Sequence, residues 1–296
     1  MRNLIHQILL GAALLAVSAT AADKKLVVIA GRPSHGPGEH EFRAGSLLLQ
    51  KCLANAPGLV TVTYSNGWPQ DAAALSDATA VVIYADGGGG HPVLKDDHKA
   101  VISNLVKQGV GIGFMHYTCE VPADKAGTEF KEWVGGHYEH QYSCNPMWEP
   151  DYTTFPKHPA ANGVMPFKIR DEWYFNIRFR DDMSGITPIL VAKPSDQVRD
   201  GSYVYPKGPY THIQQNKGRD EIMMWVVENP GGSRGFGFTG GHYHKNWGEP
   251  NFRKVVLNAL LWVTKVEVPA GGVDSLVSAE MLTQNLDPKN APKPKK

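Results

Sequence analysis

Cysteine is scarce in this chain of 296 residues: there are three, Cys52, Cys119 and Cys144. Three thiols cannot all pair, and their scatter fits neither a disulfide framework nor a zinc ribbon. A single bridge between Cys119 and Cys144 and three idle or buried thiols stay open as readings. An excess of charge is also missing. Thirty Lys and Arg face 29 Asp and Glu, and the one basic run is the terminal Lys293, Lys295 and Lys296. Binding to a phosphate backbone needs a concentrated positive surface, so no nucleic-acid partner is expected. The sequence has no G-x-S-x-G serine elbow, no H-E-x-x-H pair, and no glycine loop with the spacing or the Lys-Ser/Thr that cradles phosphates. The four glycines at 87–90 therefore do not announce a nucleotide, and no nucleotide cofactor is expected. Their expected role is close backbone approach that leaves room for a ligand beside His91.

Residues 1–22 combine Arg2, an apolar run over 8–17 and a small-residue stretch at 18–22, the layout of a cleaved secretory signal. That run is shorter than the roughly 20 residues of a membrane span, and nothing like it recurs downstream. The expectation is a secreted or periplasmic protein with no membrane association after cleavage; an uncleaved N-terminal anchor is the alternative. No cysteine follows the run to carry a lipid. Residues 23–267 have the length of one domain with a large core. Beyond 268, Pro, Gly, Lys and Asn dominate, predicting a flexible C-terminal tail with one short helix near 278–284.

Between these ends, short β-branched runs alternate with amphipathic stretches. Strands are expected at 26–30, 60–64, 80–85 and 110–116, with helices at 41–54 and 95–107, the latter ending at Gly109. The strand runs are apolar throughout, as in a parallel sheet covered by helices on both faces. Residues 120–218 read as long excursions with short strands at 167–169 and 186–192. Strands at 222–227 and 235–239 and an apolar helix at 252–263 close the domain. The fold class is α/β, a three-layer, doubly wound, mostly parallel sheet.

In such sheets ligands bind beyond the carboxyl ends of the strands, and there the histidines gather. His35 and His40 follow the first strand, His91 the third, His116 ends the fourth, and His242 follows the strand at 235–239. An isolated histidine is usually a hydrogen-bonded structural residue, and His98, His158 and His212 are read that way. His137 and His140 are spaced to share one helical face, and Asp171-Glu172-Trp173-Tyr174 sets carboxylates beside aromatic rings. Imidazole and carboxylate are the preferred ligands of zinc and similar ions, so a divalent metal held by His35, His116 and His242 is one reading of the cluster. Cys119 is three positions past the turn where a nucleophile would stand. Acid/base or metal-assisted chemistry is therefore expected over cysteine catalysis.

The ordered set Ser34-His35, Gly113-Phe114-Met115-His116, Trp133 with Gly135-Gly136-His137, His158-Pro159, Asp171-Glu172-Trp173-Tyr174 and the run from Arg234 to His242 resembles the ThuA-like, trehalose-utilisation family, over about 25–265. The resemblance implies a flavodoxin-like fold of the class I glutamine amidotransferase type with the catalytic cysteine absent and His116 near its place. It implies carbohydrate or keto-sugar processing, with His35, His116, His137, Glu172 and His242 as pocket residues. The sequence departs from the common pattern after His116, where small residues often follow, and in its export.

The resulting expectation is an exported enzyme acting on a small carbohydrate. His116 and Glu172 would be the acid/base groups, and His35, His40, His91, His137, Trp173, Tyr174 and His242 would contact substrate; aromatic rings stack on sugar faces while polar groups take the hydroxyls. The alternative is a non-catalytic carbohydrate-binding or accessory protein on the same scaffold.

Overall fold

The first strand, β1 (Lys24–Ala30), sends Leu26, Val28 and Ala30 into one apolar cluster and Val27 and Ile29 into another. Alternate side chains of a strand leave by opposite faces, so this sheet is covered on both sides. The computed structural model describes residues 23–290; the expected signal at 1–22 lies outside them. α1 (Phe42–Cys52), β2 (Leu59–Tyr64), β3 (Ala80–Tyr84), α2 (His98–Lys107), β4 (Gly111–Met115) and α3 (Thr128–Val134) follow in order. After a long excursion come β5 (Ile186–Ala192), β6 (Glu221–Glu228), β7 (Arg234–Phe238) and α4 (Pro250–Val263). The seven strands form one sheet in the order β5-β6-β7-β4-β3-β1-β2. β2, β1, β3, β4 and β7 are parallel, and β6 is antiparallel to both its neighbours. α1 and α4 pack on one face and α2 and α3 on the other. This is the expected three-layer α/β fold of flavodoxin-like type.

The register decides where the chemistry can be. Ala30 pairs with Tyr84, Tyr84 with Met115 and Met115 with Phe238. Four parallel strands therefore end level, and the loops starting at Gly31, Ala85, His116 and Thr239 leave the sheet side by side. The strand order also reverses between β1 and β3, the place where open α/β sheets leave a crevice. A cleft of about 590 Å³ opens there, lined among others by Arg32, Trp68, Asp86 and Lys95.

The segment expected to be a flexible tail makes specific contacts as far as it is described. Val268 and Val273 are buried, the Val273 amide donates to Asn258, and Arg253 holds both the hydroxyl and the carbonyl of Ser275. The expected helix near 278–284 is a single 3₁₀ turn, Met281–Thr283. The conceivable bridge is not formed, since Cys52, Cys119 and Cys144 are all free.

The glycine run serves the expected close backbone approach, but at Gly87. A Cβ on Gly87 would lie 1.9 Å from the Tyr117 carbonyl oxygen, in the turn Pro-free segment His116–Cys119 that follows β4, whereas one on Gly89 meets nothing within 4 Å. Close approach is required at Gly87 and not two positions on, at Gly89. Gly87→Ala should destabilise the protein by about 1–3 kcal/mol, the cost of overpacking, while Gly89→Ala should stay within about 0.5 kcal/mol of the parent. Denaturant unfolding of the two variants checks this; equal stabilities would contradict the packing account.

Candidate metal centre

Three histidines of the site have left-handed backbones: φ is +60° at His35, +46° at His40 and +54° at His116. Such conformations are strained for residues with a Cβ and persist where surrounding structure enforces them. His116 is the first residue after β4, and its φ swings the imidazole back across the level strand ends. There Nδ1 meets the Thr239 carbonyl, 2.9 Å away, at the end of β7. A carbonyl only accepts, so Nδ1 carries the proton and the Nε2 of a neutral ring holds a lone pair.

His40 arrives from the loop after β1. Its Nδ1 is 3.1 Å from Asp86 Oδ1, at the end of β3, and that oxygen also accepts from the Ser34 hydroxyl at 2.8 Å. With Nδ1 donating to Asp86, the Nε2 of His40 also holds a lone pair. This nitrogen is 3.0 Å from Nε2 of His116 and 3.1 Å from Nδ1 of His242. His242 Nδ1 is 2.8 Å from Glu172 Oε2, which is 3.7 Å from His116 Nε2. The other Glu172 oxygen is held by Asn145 Nδ2 at 2.8 Å. Four donor atoms thus converge from four separate segments, all on buried residues. Tyr174 stands beside them, its hydroxyl 3.4 Å from His116 Nε2.

Two lone pairs at 3.0 Å repel unless something positive lies between them. A proton is disfavoured: burial first, and then the neighbouring histidines, hold His40 and His116 well below the usual imidazole range. Burial also pulls His242 down, but Glu172 overrides it and leaves His242 above its ordinary value. A divalent cation fits the donor set better. Bonds of about 2.0–2.1 Å in a tetrahedron separate ligand atoms by about 3.3 Å; four of the six separations here run from 2.8 to 3.7 Å, and all six are within 4.8 Å. Two of the remaining ring nitrogens have the outer partners typical of metal-bound histidines, Asp86 for His40 and Thr239 for His116, while Nε2 of His242 makes no hydrogen bond and has the Glu39 carboxylate 3.7 Å away.

Asp171, which the sequence reading left without a role, builds the turn that carries His242. Its carboxylate accepts the amides of Glu172 at 2.7 Å, Gly241 at 3.0 Å and His242 at 3.0 Å, and the Asn246 side chain at 2.9 Å. Glu120 is a second residue missed. Burial, and then repulsion from Glu172, push its carboxyl up to about 7. Neither a motif nor a spacing marks Glu120, whereas Asp171 stood next to a chosen residue.

The structure brings together His35, His40, His116, Glu172, Tyr174 and His242, and leaves out three of the expected residues. His35 is half exposed and lies tilted against His40 with ring centroids 3.6 Å apart; its set is His40 and Asp86, so His40 and Glu172 replace it in the four-donor cluster. His91 is fully buried, accepting from the Val93 amide and bonding the Thr118 carbonyl at 3.0 Å, so it braces the turn after β4 and no ligand space lies beside it. His137 is buried against Phe130 and Gly127 with no hydrogen-bond partner. Trp173 points into the core, packed edge-on to Tyr152, Phe238 and Phe252. An apolar ring next to Glu172 on a strand leaves by the opposite face, and that alternation could have excluded it. His98 and His158 are hydrogen-bonded to local backbone and His212 to the distant Tyr142 carbonyl, as isolated structural histidines are.

A family model described as ThuA, trehalose utilisation, matches residues 27–263. Among solved structures, the chain is similar to a ThuA-like protein from Bacteroides uniformis, with 13% identity over 85% of this chain and 95% of that one and a TM-score of 0.57. A ThuA-like protein from Parabacteroides merdae has 15% identity, covers 84% and 92%, and gives a TM-score of 0.55. At these identities the likeness concerns the fold. No curated protein matches the chain in sequence.

The placement of His91 has a measurable consequence. Burial holds this imidazole down to about 3, against about 6.5 when unfolded. Between those values the unfolded chain takes up a proton that the folded chain refuses, so His91 lowers stability as pH falls from about 6.5 towards 3. Replacing His91 with Gln removes this dependence. The unfolding free energy of the variant should fall less steeply between pH 6 and 4, by up to about 1.4 kcal/mol per pH unit. Parallel curves for variant and parent would contradict the buried, neutral assignment.

Proposed function

This chain belongs to the ThuA family, whose description points to trehalose utilisation, and from that premise we propose that it is an exported enzyme processing a small carbohydrate at a divalent metal centre formed by His40, His116, Glu172 and His242. The observation that carries the reading is the opposed pair of imidazole nitrogens, which the local hydrogen bonds leave with lone pairs facing each other. When bound, such an ion supplies Lewis acidity towards a carbonyl or hydroxyl oxygen and lowers the pKa of bound water.

The protein's own groups set the conditions for that chemistry. Asp86 and Thr239 fix the tautomers of His40 and His116 so that Nε2 faces inward. Asn145 occupies one oxygen of Glu172 and leaves the other for the centre. His116 and Glu172 thus change from the expected acid/base pair to ligands. Glu120, with its carboxyl held near neutrality by burial and by Glu172, is suited to exchange a proton with a sugar hydroxyl, because an acid/base group works best with a pKa near the working pH. Tyr117, 6.0 Å from His40 between ring centroids, provides aromatic surface beside the centre. Sugar rings stack on such faces.

Cys119 takes no part, because burial raises its thiol far above the ordinary range and its sulfur is turned to the Phe114 and Phe238 carbonyls. Glutamine hydrolysis by this chain has no nucleophile. Export rests on the composition of residues 1–22 and is tested by N-terminal sequencing of the protein from the culture medium or the periplasm.

The function is tested with trehalose, related glycosides and their 3-keto derivatives, before and after treatment with a chelator. Activity should be lost with the metal and return with zinc or another divalent ion. His116→Ala should lower kcat/KM by at least about 100-fold, since removal of a ligand disrupts the whole centre. Saturable sugar binding without product would favour the accessory-protein reading, and unchanged turnover in His116→Ala would remove the centre from the mechanism.

A further inference from the structure

His40 is held in a loop without regular secondary structure, and one of its walls comes from the far end of the chain. Lys289 is buried, with 4% of its side chain exposed. Its ammonium group is 3.3 Å from Glu41 Oε1, donates to the His40 carbonyl at 3.1 Å and also donates to the Glu39 carbonyl. An ammonium group has three protons to place, and these three acceptors are consecutive residues of the loop that presents His40.

Neighbouring contacts extend the attachment. The Asp287 amide donates to Glu41 Oε2 at 2.9 Å, and Arg43 donates to the Asn285 carbonyl at 3.2 Å. Glu41, itself buried, accepts the Gly38 amide at 3.0 Å through Oε1. On its other side the loop is bound to the turn that carries His242: the His40 amide donates to the His242 carbonyl at 3.0 Å, and the His244 amide to the Gly38 carbonyl at 2.9 Å. The loop of residues 36–41 is thus held between the His242 turn and the C-terminal segment. Removing either support leaves the left-handed φ of His40 without the contacts that enforce it.

We propose that residues 281–289 form a strap that completes the metal centre, with Lys289 as a positioning residue that holds His40 in its ligating orientation. The inference rests on the metal reading for its effect on affinity, and on the contacts alone for its effect on the loop. A cut or truncation in the strap would act as an off switch for the site, with the sheet and its core left in place. Without Lys289 the buried Glu41 loses its cationic partner, a state that proteins relieve by rearranging.

The test uses the full chain, Lys289→Met, Lys289→Arg and a chain ending at residue 284, with two readouts. One is cobalt(II) affinity, read from the visible absorption of the bound ion. The other is hydrogen exchange of the His40 amide in the metal-free proteins. Lys289→Met and the shortened chain should bind cobalt(II) about 10- to 100-fold more weakly, the range found for lost outer-shell support. They should also lose protection at His40 while retaining it in β1, β3 and β4. Lys289→Arg keeps a cation with several donors and should recover most of both. Protection at His40 equal to that of the parent, or cobalt(II) affinity equal to that of the parent, would overturn the proposal. If the parent itself binds no cobalt(II), the metal reading falls, and the strap is decided by the exchange of His40 alone.

Discussion

Two imidazole nitrogens held 3.0 Å apart, each with its proton committed to the far side of the ring, form the constraint around which the rest of this site is arranged. Neutral rings in this position repel, and burial opposes the proton that would join them. The fold maintains the arrangement because each ring is tethered from outside. Thr239 holds one and Asp86 the other, and both tethers are parts of the sheet's own strand ends.

The physical route from sequence to site is short. A parallel register brings Ala30, Tyr84, Met115 and Phe238 level, so the four following loops must share one surface. Left-handed backbones at His40 and His116 then turn the rings inward. The buried Asp171 carboxylate, accepting the amides of Glu172, Gly241 and His242, fixes the fourth direction. Local strain at the histidines is offset by these long-range hydrogen bonds, the pattern expected where a structure stores strain for function.

Much of this was legible in the residues. Apolar runs without polar alternation announced the covered parallel sheet, and histidines repeated at strand ends announced the site, since both follow from local pattern and from the rule that ligands lie beyond strand ends. Position at a strand end does not, however, fix the direction of a ring. His91 occupies such an end and yet turns beneath the Thr118 carbonyl, while His40, deeper in its loop, reaches the centre. Trp173 follows Glu172 directly and goes to the opposite side of its strand. The contacts of Lys289 with residues 39–41 span about the whole chain, and composition alone, rich in Pro and Lys near the terminus, pointed instead to a flexible tail. Long-range partners of this kind leave no local signature.

His116 takes the strained turn after β4, and the nearest thiol, Cys119, is turned into the core. What the site offers is a preformed set of three imidazoles and one carboxylate. Nitrogen-15 NMR of the histidine-labelled protein, recorded with and without zinc, tests the central claim most directly. The account predicts that zinc shifts Nε2 of His40 and His116 and Nδ1 of His242, while Nδ1 of His40 and His116 stays protonated throughout. Spectra unchanged by zinc, with a proton shared between the two Nε2 atoms of His40 and His116, would contradict it.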